Sequence, residues 1–138
     1  NEDINIEVPK NSTKVENLVK KVDDNYNSKG KLASLKANLN NIRASAELLY
    51  DKTNSYGTKS FKIGACKNTS GTMFADSYIY KGISDASSEQ PEKATCSSDT
   101  ISYAISVPYT DDTKYSWCVD SNGSSKQITG AITGNTCN

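Results

Sequence analysis

The stretch Leu32-Ala33-Ser34-Leu35-Lys36-Ala37-Asn38-Leu39-Asn40-Asn41-Ile42-Arg43-Ala44-Ser45-Ala46-Glu47-Leu48-Leu49-Tyr50 decides the fold. Its large apolar residues, Leu32, Leu35, Leu39, Ile42, Ala46 and Leu49, recur at alternating steps of three and four, the spacing of one helical face. Neither Gly nor Pro interrupts Lys31 to Lys52. A helix over Leu32–Tyr50 would be about 28 Å long. At about 100° per residue, a second cluster of Ala33, Ala37, Ala44 and Leu48 falls on the side opposite the large stripe. Lys36, Arg43 and Glu47 share a third, narrower sector. Alanine is a good helix former in its own right. The two apolar faces also describe a helix gripped by its own domain on one side and by neighbouring subunits on the other.

Upstream, residues 1–29 read differently. Ile4, Ile6 and Val8 alternate with polar residues as far as Pro9, the pattern of a short extended arm. Thr13 followed by Glu16 has the spacing of a capping box. Val15, Leu18, Val19 and Val22 then predict a short amphipathic helix ending near Asp24–Asn27, with Asn25, Asn27, Ser28 and Gly30 as a hinge. The division is therefore a polar arm with a short helix over 1–29 and a head domain over 30–138.

Downstream, the texture turns to loops and strands. Asp51–Ser60 is a loop, Phe61–Cys66 a short strand or simply extended, and Met73–Tyr80 a brief helix or an irregular packed segment with Phe74, Tyr78 and Ile79 inward. Gly82–Lys93 reads as a polar surface loop. Ile101, Tyr103, Ile105 and Val107 alternate with Ser102, Ala104 and Ser106, and Pro108 ends that strand. Tyr115, Trp117 and Val119 alternate again. Asn122-Gly123 is a hairpin turn signal, and Lys126–Thr129 pairs back. One long helix followed by a small antiparallel sheet is an α+β order.

Composition sets the limits. The 138 residues fit one domain. Leu, Ile, Val and Phe together fall below about one residue in five, so the core is thin. The 16 basic and 16 acidic residues cancel, which permits collapse. The 4 cysteines, Cys66, Cys96, Cys118 and Cys137, supply the missing stability as two disulfides in an oxidising compartment. Three connectivities exist. The sequential pairing, Cys66–Cys96 and Cys118–Cys137, is favoured, because each bridge then closes a loop of moderate length worth about 3 kcal/mol. No His is present, and no C-x-x-C spacing, so zinc is a poor match. No basic run exceeds Lys20-Lys21, which argues against nucleic acid as the main ligand. No apolar segment approaches a membrane span and no signal peptide is seen, so any exporting segment would lie outside this chain.

Catalysis finds little support. There is no phosphate-binding loop or metal triad, and Asp23-Asp24 and Asp111-Asp112 read as solvated turns. No cofactor is expected. Asp120-x-Asn122-x-Ser124 resembles the start of a calcium loop but lacks the Gly at the sixth position and the distant Glu. A polar hairpin turn is the better reading, and no metal site is assigned. Tyr78, Tyr80, Tyr109, Tyr115 and Trp117 would make an adhesive patch only if the core did not need them. Trp117 is expected in the core beside Cys118. Three N-x-S/T acceptor patterns, beginning at Asn11, Asn68 and Asn122, are expected by chance in a chain this rich in Ser, Thr and Asn.

Several motifs together resemble a known family. The helix ends in Ala46-Glu47-Leu48-Leu49-Tyr50-Asp51 and runs into Asn54-Ser55-Tyr56-Gly57. Cys66, Met73-Phe74-Ala75-Asp76, Cys96, Tyr115-x-Trp117-Cys118-Val119-Asp120-Ser121-x-Gly123 and a final Cys137 follow in order. This layout, covering roughly Lys31 to Cys137, resembles type IV pilins and pseudopilins. The resemblance implies a pilin-like fold and a non-catalytic subunit of an extracellular, cell-surface filament. Its partners would be other pilin subunits and an ATP-driven assembly machine, with the membrane reached only through an apolar N-terminal helix. The alternative is a pseudopilin of a secretion or competence machine, some of which hold calcium near the C-terminus. Residues 1–29 match no part of a pilin and read as a segment added ahead of the head. The apolar helix and its Glu are absent, so no polymerisation residue carries over from it.

Overall fold

The computed structural model describes the backbone from Ser12 to Asn138 and the side chains from Lys29 onward. The arm expected at Ile4, Ile6 and Val8 lies outside the described residues. So do the side chains of the Thr13 capping box and of Val15, Leu18, Val19 and Val22.

Helix α1 runs without a break from Ser12 to Thr53, 42 residues, or about 63 Å at 1.5 Å per residue. The expected hinge at Asn25–Gly30 is not there. One glycine in a helix costs only about 1 kcal/mol relative to Ala, and Lys, Leu and Ala beyond it carry the helix on. The helix stops at Asn54, whose φ of 62° is the left-handed conformation that ends many helices. Asn54 N–H still donates to the Tyr50 carbonyl at 2.6 Å, and the Thr53 hydroxyl donates to the Leu49 carbonyl at 2.9 Å.

The stripe predicted to face the core does so. Leu35, Leu39, Ile42 and Ala46 are buried, with Leu49 and Tyr50 packed at the edge. Against them lies α2 (Ser77–Ala86), which buries Ile79, Ile83 and Ala86. Asp76 caps α2 by accepting from the N–H groups of Tyr78 at 2.9 Å and Ile79 at 3.1 Å. A 3-10 turn over Met73–Ala75 precedes it, burying Met73 and Phe74. Two expectations are corrected here. The segment after Gly82 is helical as far as Ala86, and a 3-10 turn follows at Pro91–Lys93. Tyr78 points outward, 77% exposed, because Ile79, Ile83 and Ala86 set the buried face. Gly82 sits where the helices approach most closely: a Cβ there would lie 2.6 Å from Ile42 Cγ1.

Among the described residues, five strands form one antiparallel sheet in chain order: β1 (Phe61–Ala65), β2 (Thr95–Ser98), β3 (Tyr103–Pro108), β4 (Tyr115–Asp120) and β5 (Ser125–Thr129). β1, β4 and the last hairpin match expectation. β2 is an addition, and Ile101 falls in the β2–β3 turn, 71% exposed, instead of starting β3. The alternation along β3 and β4 holds, but both faces are covered. Tyr103, Ile105, Val107 and Val119 join the helix core, with Trp117 half-buried against it. Ala104 and Cys118 face the other way, where Ile128, Ile132 and Cys137 form a second small core. The C-terminal tail thus lies across the sheet face opposite the helices.

The disulfides are Cys66–Cys96 and Cys118–Cys137, as favoured. The first ties the end of β1 to β2, and the second pins the tail to β4. Two structural disulfides mark a protein of an oxidising, non-cytoplasmic compartment. Among the described residues no helix is long and apolar enough to cross a membrane.

Candidate functional site

Two surfaces of α1 remain once the core is accounted for. The first is the small-residue face. Ala33, Ala37, Ala44 and Leu48 are all exposed, Leu48 at 66%. They lie opposite the buried stripe, so α1 carries one apolar face inward and a second outward.

The second is the sector of Lys36, Arg43 and Glu47, which borders the sheet. Lys36 Nζ lies 4.3 Å from the centre of the Trp117 ring, a cation–π contact. The Asn40 side-chain oxygen accepts from the Ser125 hydroxyl at 3.2 Å, and Trp117 Nε1 donates to the same hydroxyl at 3.3 Å. Further along, Arg43 Nη2 reaches the Gly123 carbonyl at 3.4 Å. Glu47 accepts from the Tyr56 hydroxyl at 2.9 Å. Between these contacts α1 and the β4–β5 turn part to leave an open groove of about 450 Å³. Asn40, Arg43, Ala44 and Glu47 form one wall, and Asp120, Ser121, Asn122 and Gly123 the other, with Tyr103 between them.

Tyr103 joins the groove to an aromatic row behind it. Tyr50 and Tyr56 are tilted at 47° with centroids 4.7 Å apart, and Tyr56 meets Tyr103 edge-to-face at 5.0 Å. Tyr103 is 1% exposed. Burial, and then the Glu47 carboxylate nearby, push its phenol well above the ordinary value. Tyr56 is raised by burial and by its hydrogen bond to Glu47. Both hydroxyls therefore stay protonated across the physiological range.

Asp120 is the residue that holds the adjoining turn. It is 2% exposed. One carboxylate oxygen accepts from the N–H groups of Asn122 at 3.0 Å and Ser124 at 2.9 Å. The other accepts from Cys137 N–H at 2.7 Å. A single carboxylate thus closes the hairpin and anchors the tail. Sequence reading placed Asp120 in a polar turn and missed its burial. A second clasp sits at the β2–β3 turn. Asp99 accepts from the N–H groups of Ile101 and Ser102 at 2.9 and 2.7 Å, and from the Asn135 amide at 3.2 Å. The Ile101 N–H bond, aided by Ser102 and Asn135, holds its carboxyl below the usual range. Asn135 also donates to Ser102 at 2.9 Å and accepts from Ser97, so the tail is stitched to β2.

The aromatic residues weighed as an adhesive patch come together only in part. Tyr109 and Tyr115 form a ring pair at 6.4 Å, while Tyr78 stands on the outer surface of α2. Trp117 is half-buried beneath Lys36, so its expected place in the core is met in part. Asp111 and Asp112 are exposed in the β3–β4 loop, and the side chains of Asp23 and Asp24 lie outside the described residues. Comparison with protein-family models, with curated proteins and with solved structures finds no match to this chain.

Proposed function

We propose that the chain is the non-catalytic head of a type IV pilin-like filament subunit, assembling through the outer face of α1. The observation that carries this reading is the doubly apolar helix. Leu35, Leu39, Ile42 and Ala46 are consumed by the chain's own core, while Ala33, Ala37, Ala44 and Leu48 stay open along the opposite side. Small residues on an exposed helix face let a neighbouring backbone approach closely, and a packed neighbour would cover the lone exposed Leu48. The order of long helix, antiparallel sheet and C-terminal disulfide supports the same reading. A calcium-holding pseudopilin is the weaker alternative, since both oxygens of Asp120 already accept backbone N–H bonds.

The test is made in the source cells with the native chain. Ala37→Glu and Ala44→Glu, each on an exposed position, should leave the purified head's circular dichroism and melting temperature unchanged. Both should abolish incorporation into sheared surface filaments. Filaments that lack this chain, or that incorporate both variants at wild-type levels, would overturn the proposal.

A further inference from the structure

The groove between α1 and the β4–β5 turn has chemistry that the filament reading does not use. Arg43, Tyr103, Asn40 and Glu47 supply that chemistry. Tyr103 is almost wholly buried yet lines the groove, and its hydroxyl, which is not among the enclosed unpartnered oxygens, is free to donate. Arg43 adds a guanidinium whose one contact, 3.4 Å to the Gly123 carbonyl, leaves most of its five donors unused. Asn40 engages its oxygen with Ser125, and its amide protons have no partner among the described residues. Asn122 lines the opposite wall. Glu47 lies one turn along the helix from Arg43, roughly 6 Å of rise. The two do not form an ion pair with each other, although Lys81 and Asp85 at the same spacing do, at 2.9 Å.

We propose that this groove binds a small organic acid: its carboxylate held by Arg43, Asn40 and the Tyr103 hydroxyl, and a second, hydrogen-donating group held by Glu47. Arginine presents a planar fork that matches a carboxylate in two hydrogen bonds. The phenol remains a donor because burial keeps it protonated. Glu47 has one oxygen engaged by Tyr56 and one free. A volume of about 450 Å³ suits one sugar-acid or amino-acid unit. The ring of Tyr103 is buried, so no aromatic face is offered for stacking. Recognition therefore rests on the charged end of the ligand and not on a flat sugar face. This inference is independent of filament assembly.

The test is a titration of the isotope-labelled chain, followed by amide chemical shifts, with glucuronate, alanine and neutral methyl glucoside. Either acid should give saturable shifts at Arg43, Ala44, Tyr103 and Ser121–Gly123, with a Kd of about 1 mM. The neutral glycoside should give none. Arg43→Gln should weaken binding at least about 10-fold, and Tyr103→Phe about 3- to 10-fold. Amide spectra otherwise unchanged would show that both variants remain folded. Glu47→Gln separates the two ligand sources: it should weaken alanine, whose donor is a cation, more than glucuronate, whose donors are hydroxyls. The proposal fails if neither acid gives a saturable response up to about 20 mM, if the glycoside binds as well as the acids, or if Arg43→Gln binds unchanged. Filament incorporation of Arg43→Gln should stay at the wild-type level, so failure here leaves the assembly reading to its own test.

Discussion

Replacing Asp120 by Asn keeps the shape of the side chain and removes one acceptor oxygen and the charge. Three backbone N–H groups converge on the carboxylate, two on one oxygen and Cys137 N–H at 2.7 Å on the other. Asn has a single oxygen. If it serves the turn, its amide group faces the Cys137 N–H, donor against donor. If it serves Cys137, two turn amides lose their partner. The first arrangement costs less. It leaves one buried N–H unpaired, about 1–3 kcal/mol, and weakens two bonds from charged to neutral, about 1 kcal/mol each. Relief from burying a charge offsets part of this. The net expectation is a loss of about 3 kcal/mol. At a urea m-value of roughly 1.5 kcal/mol/M, the midpoint should fall by about 2 M. Hydrogen exchange at Cys137 N–H should accelerate by more than global unfolding explains, because the tail loses its anchor locally. A variant within about 0.5 kcal/mol of the parent, or a destabilised one with Cys137 N–H still protected to the global limit, would show that Asp120 does not hold the tail.

Four more expectations follow from other contacts. Gly82→Ala should lower stability by about 1–2 kcal/mol despite its better helix propensity, since the new Cβ meets Ile42 Cγ1 at 2.6 Å; a rise in melting temperature would contradict the close α1–α2 approach. Asp99 has a folded value held below the ordinary carboxylate range, so its stabilisation is fully present above about pH 3.9 and is lost as pH falls through the lower, folded value. The gap in urea midpoint between the parent and Asp99→Asn should therefore shrink below about pH 4; a constant gap would refute the coupling. Removing Cys66–Cys96 or Cys118–Cys137 by paired Ala substitutions should cost about 3.6 and 3.2 kcal/mol for separations of 30 and 19 residues, with equal stability of the disulfide-free and parent chains as the contrary result. Ser98 Oγ is buried without a partner among the described residues, so Ser98→Ala should be neutral or stabilising by about 1 kcal/mol in thermal melts; a marked loss would mean that the hydroxyl is satisfied.

The parts of the fold that could be read in advance are those fixed by local pattern. The three-four spacing from Leu35 to Ala46 needs only helical geometry, and Tyr103–Val107 and Tyr115–Val119 need only a period of two. The parts that escaped depend on distant partners. Gly82 looks like a helix breaker until Ile42 is seen to need the space its missing Cβ leaves. Thr95–Ser98 is too small and polar to announce a strand, yet β1 and β3 pair with it on both sides. Gly30 with its Asn and Ser neighbours looked like a hinge, but their summed helix penalty is small beside that of starting a new helix. At the site, the Lys36, Arg43 and Glu47 sector was visible on the helical wheel. Its opposite wall was not, because Tyr103 and Asn122 reach it only through the folding of the sheet.

The order of the strands has a consequence for how the chain is oxidised. Neighbours in the sheet are neighbours in the sequence, and the two disulfides neither cross nor nest. A chain emerging from its N-terminus presents Cys66 and Cys96 before Cys118 appears. The first bridge therefore has only its native partner available and closes β1 onto β2 while the second pair is still to come. The second bridge waits for Cys137, so the tail is covalently locked after β1 and β2 are joined. An N-to-C order of delivery would therefore favour the native pairing among the three possible ones.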